Sequence, residues 1–315
     1  MDAPGSPVPR GAPSGRQHVI AHGDHAAVVT QAGATLRACS LAGRPVLDGF
    51  EVDERASDGR GQVLAPWPNR LAEGRYTFDG RSCQAPLSEP SRGNAIHGLV
   101  RWLDWSEVSS AGDEVVLGCV VRPQPAYEWE LDLRVGYRLD AAGLTVSTNA
   151  TNTGSGSAPF GIGFHPYLSL GRAVDGLSLR IPAQAALAPV DDPDEAPVPA
   201  DVAGGPFDLR VARPIGDAHL DTAYGELLRD DDGRAVAVLA DPEAGSEVRL
   251  WVDSSFRYLM VYTGDEVGSP ERRRQSVAVE PMTCPPHAFR SGVDVVTLAP
   301  GASWSGTWGL AARHP

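Results

Sequence analysis

Short apolar runs, several of them alternating with polar residues, dominate the pattern along the chain. Residues 131–139 alternate cleanly between the two kinds, which is the period of a half-buried strand. Turn signals such as Asp79-Gly80 and Asp232-Gly233 separate the runs. The pattern predicts an all-β protein, built as an antiparallel sandwich or barrel. Further strand-like runs occur at residues 115–121, 144–148, 235–239, 248–253, 258–262 and 304–310.

The same pattern predicts a single domain over residues 18–315. No stretch carries the apolar stripe of a long amphipathic helix, and all-β units of this length commonly form one domain. Residues 1–17 are rich in Pro, Gly, Ala and Ser and lack an apolar segment, so we expect a disordered tail and no secretory signal. Residues 183–214, rich in Pro and Asp, are predicted to form a long surface excursion.

Charge and composition narrow the classes of function. The net charge of −13 argues against nucleic acid or an anionic membrane as partner, and no apolar run approaches the roughly 18 residues of a membrane span. All 27 basic residues are arginines, so no lysine can form a Schiff base or act as a base. The four cysteines form no C-x-x-C pair, which favours buried thiols in a reducing compartment and therefore a cytoplasmic protein.

The first candidate for chemistry is Glu280. It follows the apolar run Val277-Ala278-Val279 and precedes Pro281. Because proline has no N–H to continue a ladder, we expect the strand to stop there and the carboxylate to project from its end into a cavity. A glutamate on a solvated surface is the commoner case, so the motif alone leaves both interpretations open.

Two histidines, an arginine and an aspartate occupy comparably unusual settings. His97 precedes a glycine, and His165 lies between a phenylalanine and a proline. Each histidine suits either a structural role or acid–base chemistry. Arg70 follows a stiff Pro-Trp-Pro-Asn segment and could bind hydroxyls or pair with a nearby acid. Asp221 could cap a turn or bind a polar ligand.

Metal and phosphate sites receive weaker support. His18, His22 and His25 are spaced like ligands but belong to no known metal motif, so no metal or other cofactor is expected. The three consecutive arginines at residues 272–274 could hold a phosphate, although a solvated loop is the simpler interpretation.

Taken together, these motifs resemble the aldose 1-epimerase (galactose mutarotase) family. The resemblance extends over about residues 19–310 and also includes the early Gly-Ala-Thr-Leu segment from Gly33 and the Pro-Asn-Arg-Leu-Ala-Glu-Gly-Arg-Tyr run ending at Tyr76. Five ordered motifs are far more specific than any one alone. In order they are Pro-Asn-Arg at Arg70, His-Gly at His97, His-Pro-Tyr from His165 to Tyr167, Leu-Asp at Asp221 and Glu-Pro at Glu280.

The resemblance implies a galactose mutarotase-like β-sandwich with an open sugar-binding cleft. It implies that Glu280 is the catalytic base and His165 the catalytic acid. The implied substrate is a free aldohexose, whose α and β anomers would be interconverted without a cofactor by a monomer or weak homodimer. A carboxylate and an imidazole suit this acid–base ring opening near neutral pH. The sugar-binding residues of the family correspond to Arg70, His97, Asp221 and Tyr167.

Other functions stay open at this level, because one fold hosts many activities. The cleft could serve an isomerase or lyase acting on a modified sugar or another hydroxylated metabolite. Glu280 and Asp221 together could indicate a glycosidase. The remaining alternatives are a phosphosugar epimerase and a sugar-binding protein without turnover.

Overall fold

Strands are the dominant regular structure in the computed structural model, which describes residues 11–188 and 195–314. Among these residues the one α-helix, α1 (Ala288–Ser291), has four residues, so no described helix is long enough to cross a membrane. In chain order the strands are β1 (Gln17–His22), β2 (His25–Thr30), β3 (Leu36–Leu41), β4 (Arg44–Pro45), β5 (Val63–Leu64), β6 (Arg70–Ala72), β7 (Arg75–Phe78), β8 (Arg81–Gln84), β9 (Asn94–Ile96), β10 (Ser106–Ser110), β11 (Glu114–Val121), β12 (Leu131–Asp140), β13 (Gly143–Asn152), β14 (Ala158–Phe160), β15 (Gly163–Phe164), β16 (Tyr167–Leu168), β17 (Ser178–Arg180), β18 (Ala183–Leu187), β19 (Pro199–Asp201), β20 (Arg213–Pro214), β21 (Asp221–Leu227), β22 (Ala235–Asp241), β23 (Ser246–Val252), β24 (Tyr258–Tyr262), β25 (Val277–Met282), β26 (Val296–Leu298) and β27 (Ser303–Arg313).

The larger sheet has nine strands in the order β10-β11-β12-β13-β27-β23-β22-β17-β20. Strand β12 of this sheet confirms the alternation predicted for residues 131–139. The strand buries the side chains of Leu133, Val135 and Tyr137 completely. It exposes those of Arg134 and Arg138, which point to the other face. One face of this sheet therefore forms a wall of the core.

A second sheet supplies the opposite wall. Its strands run β19-β18-β21-β24-β25-β15-β5, and β16 also pairs with β25. Phe164 of β15 meets Trp308 of β27 with ring centroids 5.2 Å apart, which joins the two sheets. A single cluster of buried apolar side chains includes residues from both. The predicted all-β sandwich is confirmed.

Two sequence predictions concern segments at the edges of this sandwich. The predicted excursion at 183–214 begins instead with β18, which pairs with β21 and buries Ala183. Alanine has low strand propensity, so the neighbouring prolines and aspartates hid this strand from sequence reasoning. Residues 1–10 of the predicted tail lie outside the described residues, and so do residues 189–194 of the predicted excursion. The rest of the predicted tail is ordered in part, because Ser14 is buried and β1 begins at Gln17.

A two-stranded ribbon carries another segment over the second sheet. Strand β6 pairs with β9 so that Arg70 lies opposite Ile96, and His97 follows directly. An isolated bridge between Ala65 and Gly98 fixes the end of the ribbon. The ribbon therefore presents Arg70 and His97 together above the strands of the second sheet.

Candidate active site

One cleft of about 390 Å³ gathers the six residues that the sequence predicts to act in catalysis or sugar binding. The second sheet supplies its floor, and the ribbon formed by β6 and β9 supplies one side. The six side chains that line it together are Arg70, His97, His165, Tyr167, Asp221 and Glu280.

Strand pairing brings His165 and Glu280 together. Gly163 of β15 pairs with Met282, and Tyr167 of β16 pairs with Ala278. Continuing this antiparallel register places His165 opposite Glu280, and the period of two puts both side chains on one face. Strand pairing with β25 therefore places the two acid–base candidates next to each other, and no flexible loop separates them.

Pro281 does not stop β25, contrary to the sequence prediction. The strand continues to Met282, and Pro281 pairs with Leu259 of β24. On the other side, the N–H groups of Val279 and Thr283 donate to Pro166 and Ile162, and Pro281 lies between them with no N–H to donate. In the same register Pro281 lies opposite Phe164, the last residue of β15, so the proline removes only one ladder bond at the end of a two-residue strand.

The carboxylate and imidazole are in contact and almost fully buried. Nε2 of His165 lies 3.4 Å from Oε1 of Glu280. Glu280 is 2% exposed and His165 is 5% exposed. Oε2 of Glu280 and Nδ1 of His165 have no hydrogen-bond partner in the described part of the chain. Buried polar atoms are normally satisfied, so these two atoms mark a place for a polar ligand.

Burial shifts the pKa values of this pair in opposite directions. Burial raises the pKa of Glu280 well above its ordinary value, with the charge of Asp221 adding to the effect and that of Arg70 opposing it. Burial also lowers the pKa of His165 to about 3. Both shifts favour a neutral pair that holds one proton on Glu280 over a carboxylate–imidazolium ion pair.

His97 is fixed by a reciprocal pair of hydrogen bonds with Asn69. The backbone N–H of His97 donates to the backbone carbonyl of Asn69 at 2.9 Å. The ring Nδ1 of His97 accepts a hydrogen bond from the backbone N–H of Asn69 at 3.2 Å. Both residues have positive φ, 64° for His97 and 52° for Asn69, a strained conformation that is enriched at functional sites. The ring of His97 meets that of His165 edge-on, with centroids 5.3 Å apart.

The same hydrogen bonds argue against a metal ion in the cleft. Ligand atoms of His97, His165 and Glu280 lie within 4.8 Å of one another, which is compatible with a shared ion. However, Nδ1 of His97 accepts a hydrogen bond, so the neutral ring carries its proton on Nε2. A metal-bound imidazole instead donates its remaining N–H to an acceptor. This arrangement suits a His97 whose Nε2–H donates a hydrogen bond to a ligand oxygen.

Arg70 is held between two carboxylates. Its guanidinium donates to Glu89, with Nε 3.0 Å from Oε2 and Nη2 3.3 Å from Oε1. Asp221 lies on its other side, with Oδ2 3.5 Å from Nη1. Burial opposes ionisation of Glu89, but hydrogen bonds from Arg70 and Asn94 outweigh it and lower the pKa of that carboxyl. Glu89 therefore acts as a fixed anion that orients Arg70.

Tyr167 and a buried arginine support His165. The rings of Tyr167 and His165 are stacked, with centroids 4.9 Å apart and planes 15° apart. Cζ of Arg60 lies 4.6 Å from the centroid of Tyr167 on that ring's face. The hydroxyl of Tyr167 donates to the carbonyl of Asp58. The contacts of Tyr167 are those of a residue that positions His165, and contact with a substrate stays a prediction for it.

Sequence reasoning missed Arg60, which is only 1% exposed. It pairs with Asp48 and Asp58, with nitrogen–oxygen distances of 3.1 and 2.9 Å. The sequence signal that could have found this position is the glycine on each side of Arg60. Gly59 lies so close to the ring of His165 that a Cβ on Gly59 would be 2.5 Å from Cδ2 of His165. A glycine at such a contact marks a close approach to a functional side chain.

The other candidate clusters from the sequence serve structural contacts. His18 pairs with Glu107, and Nδ1 of His25 accepts the N–H of Ala42. In the arginine run, Arg272 donates to the carbonyl of Gly49 and Arg274 pairs with Asp175. These contacts favour neither a metal site nor a phosphate site.

Acid should destabilise the protein through its buried histidines. Burial, followed by the charges of His165 and two arginines, lowers the pKa of His97 well below 6.5. Below about pH 6.5 the unfolded imidazole takes up a proton that folded His97 does not, so the free energy of unfolding falls by up to about 1.4 kcal/mol per pH unit. His97→Asn should remove this part of the slope in urea unfolding at pH 7, 6 and 5.

The difference between wild type and His97→Asn isolates the effect, because His165 and Glu280 titrate in both proteins. Replacement of His22, which is exposed on β1 and lies outside the cleft, by asparagine is the matched control for the exchange of a histidine for asparagine. Parallel pH profiles for wild type and His97→Asn would show that His97 does not resist protonation in the folded state.

Comparisons with known proteins agree with the fold. Residues 16–310 match the model of the family named Aldose 1-epimerase. The uncharacterized protein YihR of Escherichia coli K12 is 32% identical over 290 residues, which cover 91% of this chain and 90% of that protein. Galactose mutarotase of Rattus norvegicus is 34% identical over 171 residues, or 50% of this chain and 46% of that protein. The solved structure of the GalM/aldose epimerase homologue from C. elegans has a TM-score of 0.82 at 18% identity and covers 95% of this chain and 99% of its own, so the two share a fold.

Proposed function

Because the chain belongs to the aldose 1-epimerase family, we propose that it interconverts the α and β anomers of a free aldohexose, with Glu280 as base and His165 as acid. The family membership makes the protein an isomerase-type enzyme. One observation carries the finer proposal: a buried carboxylate and imidazole lie 3.4 Å apart in the cleft, each with one unsatisfied polar atom.

The reaction needs only two proton transfers. The carboxylate of Glu280 takes the proton of the anomeric hydroxyl as C1 becomes an aldehyde. The C1–O5 bond breaks, its electron pair stays on O5, and the imidazolium of His165 protonates that oxygen. Rotation about C1–C2 exposes the other face of the aldehyde. Reversal of both transfers then closes the ring and restores Glu280 and His165.

The burial of the pair fits this cycle. Moving one proton from Glu280 to His165 converts the neutral pair into the carboxylate and imidazolium that open the ring, with no proton taken from solvent. After ring opening the pair is neutral again, which is the form that burial favours. The site would therefore stabilise the open-chain stage, and the hydroxyls of a bound sugar would stabilise the carboxylate through hydrogen bonds.

Three neighbours are suited to hold the sugar. His97 offers an Nε2 proton, since its Nδ1 is occupied by the backbone of Asn69. Arg70 is oriented by Glu89 and offers donors to hydroxyl oxygens. Asp221 is half exposed at the rim, with its side chain 44% exposed, and accepts hydrogen bonds from hydroxyls. We assign all three to substrate binding.

We further propose that residues 18–315 act as one domain in the cytoplasm, as a monomer or weak homodimer. A net charge of −13 supports a protein without nucleic acid or anionic membrane partners. The proposed binding partner is the free sugar.

Polarimetry of freshly dissolved α-D-glucose and α-D-galactose tests the function. Wild type should speed the approach to anomeric equilibrium, and His165→Asn should lose most of that acceleration because an amide cannot cycle a proton. Urea unfolding of the variant separates lost chemistry from lost folding. A folded wild type that accelerates none of several aldoses would overturn the proposal and point to a modified sugar or another hydroxylated substrate.

A further inference from the structure

Arg60 is a buried cation behind the wall of the cleft. It is 1% exposed and does not line the cleft, although its neighbours Gly59 and Gln62 do. Its guanidinium pairs with Asp48 and Asp58 at 3.1 and 2.9 Å. Desolvation of buried charges offsets most of the attraction between them, so a buried ion pair is weak evidence of a role in stability. The contacts around Arg60 indicate a second role.

The two aspartates that hold Arg60 also hold Tyr167. The backbone N–H of Asp48 donates to the carbonyl of Tyr167 at 2.9 Å, and the hydroxyl of Tyr167 donates to the backbone carbonyl of Asp58 at 3.0 Å. Arg60 lies over the ring of Tyr167, within reach of a cation–π contact, and that ring stacks in turn on His165. Fixing Arg60 between its aspartates therefore fixes Tyr167, and with it the aromatic surface that the imidazole packs against.

The residues that flank Arg60 contact His165 directly. The N–H of Gly61 donates to the carbonyl of His165 at 2.9 Å, and the N–H of His165 donates to the carbonyl of Gln62 at 3.1 Å. Gly59 lies against Cδ2 of the imidazole. Both glycines have positive φ, a path that a side chain would disfavour. The ion pairs of Arg60 therefore anchor the loop that frames both the backbone and the ring of His165.

The orientation of His165 matters because its ring has two partners in the proposed reaction. Nε2 lies 3.4 Å from Oε1 of Glu280, and the same imidazole must deliver a proton to the ring oxygen of the sugar. Displacement of a reacting group by about 1 Å can cost about 10²-fold in rate. A stacked ring on a backbone that is bonded at both its N–H and its carbonyl has little freedom to turn away.

We propose that Arg60 is a positioning residue for this reaction, which holds His165 in its reacting orientation through Tyr167 and the loop of residues 59–62. This inference rests on the proposed function, because that function makes His165 the acid. Arg60 itself does not line the cleft, so it acts through the histidine and not on the sugar.

The charge of Arg60 supports the same role. Burial is the main reason that the pKa of His165 is low, and the charges of Arg101 and Arg60 lower it further against the opposing charge of Asp58. A cation near the ring disfavours the imidazolium, so the proton passes more readily from His165 to the sugar oxygen.

The test measures kcat and KM for mutarotation of glucose and galactose, with urea unfolding to show that each variant folds. Arg60→Met should lower kcat by about 10–10²-fold and leave KM near the wild-type value, because binding of the sugar is untouched. Arg60→Lys keeps the charge but lacks the planar fork that binds two aspartates, so its kcat should lie between those of wild type and Arg60→Met.

Arg229→Met is the matched control. The guanidinium of Arg229 donates to three backbone carbonyls away from the cleft, those of Gly233, Val252 and Phe256. Its removal should lower the free energy of unfolding and keep the wild-type kcat.

A spectroscopic readout makes the position of His165 measurable without turnover. In NMR spectra of wild type, nuclear Overhauser contacts should link Hδ2 of His165 with the Hα protons of Gly59 and with the ring of Tyr167, since these groups touch. The His165→Asn variant identifies the histidine signals by their absence. Arg60→Met and Arg60→Lys should weaken both contacts, and Arg229→Met should keep them.

The outcomes separate this inference from the proposed function. Wild-type kcat in Arg60→Met, or in Arg60→Lys if Arg60→Met does not fold, would refute the positioning role and leave the mutarotase function standing. A KM that rises as much as kcat falls would also refute it, because the whole cleft would then be distorted. If wild type turns over no sugar, the proposed function fails and the Overhauser contacts decide. Their loss in the Arg60 variants would support control of His165 by Arg60, and their retention would refute it.

Discussion

Replacing Glu280 by glutamine should lower the mutarotase rate by about 10²–10⁴-fold, the usual contribution of one positioned acid–base group. Glutamine keeps the shape of the side chain but cannot take the proton of the anomeric hydroxyl. Folding should not suffer, because burial disfavours the charged carboxylate and the amide is neutral. Initial polarimetric rates and urea unfolding of the same preparation measure both effects.

The control is Glu247→Gln in β23, a glutamate of the nine-stranded sheet that does not line the cleft. It should keep the wild-type rate. Retention of more than a tenth of the wild-type acceleration by Glu280→Gln would show that another group is the base, and the pairing of His165 with Glu280 would then be structural.

Gly98→Ala should be among the most destabilising single substitutions in this chain, at roughly 3 kcal/mol or more. Gly98 follows His97 and has a φ of 65°, a conformation that costs alanine about 1 kcal/mol. In addition, a Cβ there would lie 2.0 Å from the carbonyl oxygen of Ala65, a backbone atom that cannot turn aside. Relief requires the bridge between these residues to open, which would also displace His97.

Gly80→Ala separates the cost of a positive φ from the cost of a steric clash. Gly80 lies in the turn between β7 and β8 with a φ of 74°, and a Cβ there would meet nothing within 4 Å. It should cost only about 1 kcal/mol in urea unfolding. Equal losses in the two variants would mean that the close approach at Gly98 contributes nothing to stability.

Local pattern was sufficient for several of the longer strands, and the family resemblance was sufficient for the candidate site residues. The alternation in residues 131–139 predicts β12 because side-chain direction along a strand has a period of two, which any sequence displays directly. The resemblance located all six residues that now line one cavity. Pro281 shows the limit, because whether a proline ends a strand depends on its neighbour in the sheet, here the end of the two-residue strand β15.

Contacts between distant segments were beyond the reach of sequence pattern. The tautomer of His97 depends on Asn69, and the N–H of Ala72 is satisfied by His287, 215 residues away. Arg60 is buried against Tyr167 although arginine is usually exposed. A single sequence reports the character of each position but not its partner, so the supporting residues emerged only in three dimensions.

The ladder position of His165 and Glu280 has a consequence for how such an enzyme can change. Their separation is set by the spacing of two paired strands, a distance that hardly varies among sheets. The segments around Arg92, Trp102 and Glu266, which also line the cleft, are loops or short turns, which tolerate substitution and insertion far better. Mutation or laboratory selection can therefore alter which sugars this protein accepts while the proposed proton-transfer pair keeps its geometry.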